Sequence, residues 1–151
     1  MRIYIGADHR GVLLKNQIVD FLGKKDIDVI DVGSHDPKKP CDYPKFSFRV
    51  AQSVAKDKNA RGILVCMTGI GHSIAANRVI GARAALCYNK KAAKLSRAHN
   101  NANILVLGSE FVTHKEIFQI LNIWLTTPFE GGRHLRRINQ IDRISKKKCC
   151  G

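Results

Sequence analysis

The sequence predicts an α/β domain in which a parallel sheet is covered by helices on both faces. Three observations carry that prediction. Short β-branched apolar runs alternate with segments of helical spacing along nearly the whole chain, the pattern of βαβ crossovers and of strands buried on both sides. Turn-rich or glycine-containing stretches separate the runs from the helices, as turn chemistry requires. No internal repeat, low-complexity tract or second core interrupts the order. Residues 1–145 therefore read as one three-layer α/β/α domain, and 146–151 as a basic, frayed tail.

The elements follow in order. "RIYIGAD" (2–8) is β-branched and aromatic, a buried strand. "GVLLKNQIVDFLGKK" places Val12, Leu13, Ile18, Val19 and Leu22 at helical spacing. "DVIDVG" (28–33) is a second strand closed by glycine, and the turn-rich 34–44 leads to a helix with Phe46, Val50 and Val54 on one face. "GILVC" (62–66), "RAALC" (83–87) and "NILVLG" (103–108) complete five strands, with helices at about 70–80, 89–99 and 112–125 between and after them. A last basic helix runs from near Gly132 to about Ile144 with no strand to cover, which predicts packing across a partner subunit.

Composition narrows the function classes. The 151 residues carry a formal net charge of +14, which suits nucleic acid or an acidic small substrate. Only ten residues are aromatic, and the basic stretches 90–97 and 133–148 carry no interleaved aromatics for base stacking. A solvated basic face and a phosphorylated ligand are therefore favoured over a nucleic-acid groove. Five cysteines in no zinc or C-x-x-C spacing predict neither a disulfide framework nor a structural metal site. No apolar run approaches the roughly 18 residues of a membrane span. The opening "MRIYIGADHRG" reads straight into a strand rather than a secretory signal, and a cytoplasmic location is expected.

In a parallel sheet, ligands bind beyond the carboxyl ends of the strands. That directs attention to Asp8 and His9 after the first strand, Cys66–Gly71 after the third, and Gly108–Glu110 after the fifth. "GIGHSIA" is an imperfect G-x-G with no acidic residue closing the next strand, so it does not predict a dinucleotide site. It does predict a glycine-rich strand-to-helix turn whose amides face an anion or a developing oxyanion. Cys66, just before that turn, reads as a thiolate stabilised by a helix start, as a small buried hydrophobe, or less readily as a metal ligand. Thr68 orients a substrate hydroxyl or caps the helix. His9 and His99 add groups for proton transfer beside a carbonyl. Arg133 and Arg137, four apart, share a face suited to phosphate.

Assembled in order, "GADHRGVLLK", "DVG", "DYP", "GILVCMTGIGHSIAANR", "RAALC", "LSRAHNNANILVLGS" and "FEGGRHLRRI" resemble the type B ribose-5-phosphate isomerase family, which includes galactose-6-phosphate isomerase subunits. The resemblance implies a Rossmann-like five-stranded fold, a homodimer or dimer of dimers with a shared active site, and no metal or cofactor. It implies interconversion of D-ribose 5-phosphate and D-ribulose 5-phosphate through an enediolate. Cys66 would then be the catalytic base, assisted by Thr68, with the amides of Met67, Thr68, Gly69, Ile70 and Gly71 holding the charge. His99 would open the sugar ring, Asn100, Asp8 and His9 would bind sugar, and Arg133 and Arg137 would hold phosphate. Three residues depart from the family pattern. Met67 replaces a usual glycine, His72 a usual apolar residue, and Glu110 an arginine found in many relatives. These departures keep open a six-carbon aldose 6-phosphate, and a non-catalytic sugar-phosphate or nucleic-acid binding protein.

Overall fold

The computed structural model describes residues 1–147, with side chains to 143. The predicted tail beyond Lys147 lies outside the described residues. Five strands form one all-parallel sheet: β1 (Arg2–Ala7), β2 (Asp28–Asp31), β3 (Ala60–Cys66), β4 (Ala84–Leu86) and β5 (Ile104–Gly108). Their order across the sheet is β2-β1-β3-β5-β4. Helices α1 (Val12–Gly23), α2 (Tyr43–Lys56), α3 (Ile70–Ala76), α4 (Lys90–Ala98), α5 (His114–Thr126) and α6 (Gly132–Lys147) complete the described chain.

Strand composition explains this order. The central strands β1, β3 and β5 bury nearly every residue, whereas β2 and β4, at the edges, are half-buried. Side chains alternate between faces. Ile63, Val65, Leu105 and Leu107 join Ile18, Leu22, Ile117 and Trp124 in one core, beneath α1 and α5. Leu64, Ile104 and Val106 meet Val50, Ala51, Val54 and Ala76 of α2 and α3 in the other. At about 25 cal/mol per Å² of apolar surface removed from water, burial of these strands on both sides dominates the fold's stability.

Helix α1 faces the sheet differently from its sequence reading. Val12, Leu14, Lys15, Ile18 and Leu22 are buried, while Leu13 is exposed. Lys15, with no exposure at all, ion-pairs with Asp31 at the end of β2, so a polar-looking position is an inward one. Helix α6 buries His134 and Ile138 against its own domain and leaves Arg133, Leu135, Arg136 and Arg137 exposed.

The direction of strand addition reverses between β1 and β3, which makes their carboxyl ends the walls of a crevice. Ala7 pairs with Val65, so Asp8 and Cys66 leave the sheet side by side. No helix among the described residues is long and apolar enough to cross a membrane.

Candidate active site

Asp8 caps a short 3-10 turn over residues 9–11, its Oδ1 accepting the N–H groups of Arg10 at 3.0 Å and Gly11 at 3.1 Å. Those bonds fix the carboxylate beside Cys66. One oxygen of Asp8, Cys66 Sγ and a ring nitrogen of His72 all lie within 4.8 Å of one another. The strand ends thus bring together three groups scattered along the sequence.

Cys66 is buried, and its Sγ accepts the Gly69 N–H at 3.0 Å. Burial pushes the thiol up from its ordinary value, and the Asp8 charge pushes it the same way. Hydrogen bonds from Gly69 and Thr68 pull it down without overcoming burial. Of the readings the sequence left open, the thiolate stabilised at rest is the one that burial opposes. Desolvation wins, and the resting group is the thiol.

The turn after Cys66 is held by its own bonds. Gly69, at φ +82°, is the residue before α3, and a Cβ there would lie 2.5 Å from Leu86 Cδ1. Gly71 lets the Tyr43 ring approach, since a Cβ would meet it at 2.6 Å. Thr68 Oγ1 accepts the Ile70 N–H at 3.3 Å, and Tyr88 Oη donates to the Thr68 carbonyl at 2.8 Å. Two amides of the expected anion cradle, Gly69 and Ile70, are therefore already engaged by Cys66 and Thr68. Met67 is not among the residues of positive φ, so the methionine sits without backbone strain.

His72 is fully buried. Its Nδ1 lies 2.6 Å from Ser47 Oγ, which also donates to the Tyr43 carbonyl at 3.1 Å. Ser47 holds the ring through Nδ1, and Nε2 makes no well-formed hydrogen bond among the described residues. Burial lowers the imidazole to about 4, against the raising influence of Asp8 and the Val65 carbonyl, so His72 is neutral at physiological pH. The sequence reading noted His72 only as a departure, because nothing in local spacing announces a neighbour as distant as Asp8.

Above these groups lies a shallow cavity of about 250 Å³ lined by His9, Arg10, Leu13, Pro37, Met67, Ser109 and Glu110. His9 Nδ1 accepts the Cys41 N–H at 3.3 Å, and Arg10 Nη1 lies 3.6 Å from Met67 Sδ. Met67 and Glu110 thus face the same opening as His9.

The remaining predicted residues stand elsewhere. His99 follows α4, at the amino edge of the sheet, because β5 begins only a few residues later. Cys66 pairs with Gly108 at the far end of that strand, roughly 13 Å away along it. His99 and His134 stack with ring centroids 4.2 Å apart and planes at 6°, and each Nε2 lies 3.6 Å from the same Glu130 oxygen. Burial, with His99 and Arg133 nearby, lowers His134 from its ordinary value. Asn100 lines a separate cavity of about 390 Å³ with Ile138 and Asp142, and Arg133 and Arg137 project from α6. Glu130 and His134 were missed as partners of His99; the i, i+4 spacing of Glu130 and His134 was the available signal.

A further concavity of about 900 Å³ lies at the amino edge and holds Arg61, Arg83 and Arg97. Arg61 donates to the Trp124 and Leu125 carbonyls, and Arg97 to Asn101 Oδ1 and the Ala102 carbonyl. Part of the basic excess is therefore structural.

Comparison with known proteins matches residues 3–141 to the ribose/galactose isomerase family. Ribose-5-phosphate isomerase B of Clostridium thermocellum is 47% identical, with a TM-score of 0.94 covering 98% of this chain and 99% of that one. Ribose-5-phosphate isomerase B from Mycoplasma genitalium, solved with bound ribulose-5-phosphate, is 45% identical, with a TM-score of 0.93 and 96% of each chain covered. Ribose-5-phosphate isomerase B of Escherichia coli K12 is 40% identical over 147 residues, 97% of this chain and 98% of its own length.

Proposed function

The chain belongs to the ribose/galactose isomerase family, and from that premise we infer that it is an aldose–ketose isomerase interconverting D-ribose 5-phosphate and D-ribulose 5-phosphate. The observation that carries the reading is Cys66 at the sheet's switch point, with the Gly69 N–H on its sulfur and Asp8 beside it.

The chemistry follows from that placement. The Cys66 thiolate removes the C2 proton of the open-chain aldose, and the electron pair passes through C2–C1 onto O1. The resulting enediolate exchanges a proton between the O2 hydroxyl and O1. Cys66 then returns its proton to C1 as the electrons of O2 form the ketone. Those amides of the Met67–Gly71 turn that Cys66 and Thr68 do not hold, with the Thr68 hydroxyl, stabilise the charge that develops on the two oxygens. Asp8 and His9 hold the sugar hydroxyls.

Ring opening needs an acid and a base at the ring oxygen and the anomeric hydroxyl, and His99 supplies them. His99, Asn100, Arg133 and Arg137 stand at the opposite edge of the same chain from Cys66. A two-fold homodimer in which one subunit offers Cys66 and its partner offers His99 and the arginines resolves that separation. Exposed Ile70, Ile74 and Ile80 of α3 and the segment after it, and Leu135 of α6, support such an interface.

The test is a panel of aldose 5-phosphates and 6-phosphates assayed for isomerisation. Turnover is expected to be highest with ribose 5-phosphate. Cys66→Ala is expected to lose about 10²- to 10⁴-fold in kcat while still binding a phosphorylated sugar acid. Unchanged turnover in that variant sinks the mechanism. Preference for a six-carbon sugar would place the substrate, not the chemistry, in error. Met67 and Glu110 at the cavity rim are where that preference would be set.

A further inference from the structure

The reading above uses Cys66 and Asp8 and leaves His72 without a task. Its imidazole is fully buried, held through Nδ1 by Ser47, and its Nε2 makes no well-formed hydrogen bond among the described residues. A buried ring nitrogen in that state is an exception among native polar groups. The ring reaches a thiol and a carboxylate, the three ligand atoms being within 4.8 Å of one another. Asp8 directs its backbone bonds to Oδ1, so Oδ2 is free to turn to a ligand.

We propose that Asp8, Cys66 and His72 form a binding site for a thiophilic divalent cation of the zinc class, and that its occupation silences the isomerase. One thiolate, one neutral imidazole and one carboxylate are a donor set for zinc, and three protein ligands leave a fourth tetrahedral position open. Ligand atoms of a tetrahedral site lie about 3.5 Å apart, so atoms within 4.8 Å of one another need to close by no more than about 1.5 Å. Asp8 sits just after β1 and Cys66 is the last residue of β3, so both lie at strand ends. The bond forms between the Cys66 sulfur lone pair and the cation, and the thiol proton leaves to solvent, so nothing is oxidised or reduced. The cation also lies between two groups that repel each other when both are charged, the Cys66 thiolate and the Asp8 carboxylate. His72 is supported by Ser47 as metal-binding histidines are supported by a second hydrogen bond. Sequence spacing predicted no metal site because the third ligand comes from a different strand end.

The silencing rests on Cys66 being the base, whereas the site itself does not, so binding is read apart from turnover. Equilibrium dialysis against zinc, and absorption spectra with cobalt as a probe, are applied to the full chain and to His72→Ala and His72→Gln. The expected result is one zinc per chain and a thiolate-to-cobalt charge-transfer band. Affinity should fall by more than about tenfold in both variants. Zinc should abolish turnover of ribose 5-phosphate, and a chelator should restore it. Should a variant fail to fold, protection of Cys66 from iodoacetamide by zinc in the unaltered protein decides the matter. Absence of zinc uptake at micromolar free metal, affinity undiminished in the variants, or an unprotected Cys66 each overturns the proposal. Zinc binding without any isomerase activity would leave the site standing and remove the proposed function instead.

Discussion

The two histidine-bearing clusters of this chain, at opposite edges of one sheet, are built on different principles. At the carboxyl edge, His72 is dry, neutral and wedged under Cys66 and Asp8 by α3 and a tight turn. At the amino edge, His99 is half-exposed and stacks on His134 beside a solvent-facing Glu130. The first cluster is assembled within one chain, and the Gly69 and Ile70 amides beside it are engaged by Cys66 and Thr68. The second leaves His99 half-exposed on a buried His134. In the proposed mechanism the buried thiol and the His99 imidazole divide proton abstraction from ring opening, and a partner subunit would bring them together.

The sharpest way to break that comparison is complementation. Cys66→Ala and His99→Asn chains are each expected to turn over poorly. Denatured together in equal amounts and refolded, half the dimers are mixed, and each mixed dimer carries one site with both groups intact. Recovery to about a quarter of the unaltered activity is expected for two-fold sharing. No recovery in mixed dimers confirmed by native mass measurement would return both groups to a single chain's site and break the division.

A smaller effect sharpens the carboxyl-edge half. Burial raises the Cys66 thiol, and the Asp8 charge raises it further. The active form is the thiolate, so kcat/KM is expected to climb as pH rises toward the raised value and to fall away below it. Asp8→Asn keeps the oxygen that caps the 9–11 turn and removes the neighbouring charge. The rising limb should therefore move to lower pH in that variant. A profile that stays in place, or shifts upward, would mean that Asp8 does not act on Cys66 through its charge.

The fold was legible because β-branched runs and helical spacing are local properties, and all five strands lie where those runs are. The Cys66 turn was legible for the same reason, since glycines and a strand end adjoin in sequence. What was not legible depends on pairing between distant segments. Asp8 meets Cys66 only because β1 pairs with β3. Leu13 faces out and Lys15 in because Asp31 waits at the end of β2. Sequence left open whether a helix start favours the Cys66 thiolate or burial opposes it, and burial, which sequence does not report, has the larger influence. Met67, which departs from a usual glycine, stands where the backbone does not take positive φ.

The smallest expected effect concerns where the phosphate lies relative to the two edges. Glu110 shares the carboxyl-edge cavity with His9, Arg10 and Met67, while Arg133 and Arg137 belong to α6. If a partner's α6 brings the phosphate over that cavity, the Glu110 carboxylate stands near a dianion. Across about 7 Å of water-like medium each unit of charge costs about 0.6 kcal/mol, and screening reduces it further. Glu110→Gln is therefore expected to lower KM for ribose 5-phosphate by about two- to threefold, with kcat unchanged. The gain should shrink as salt is added, because the repulsion crosses exposed solvent. A KM that stays fixed at low salt would place the phosphate beyond reach of this rim. The carboxyl edge would then hold only the carbons undergoing proton transfer, and the charged end of the substrate would belong wholly to the other region.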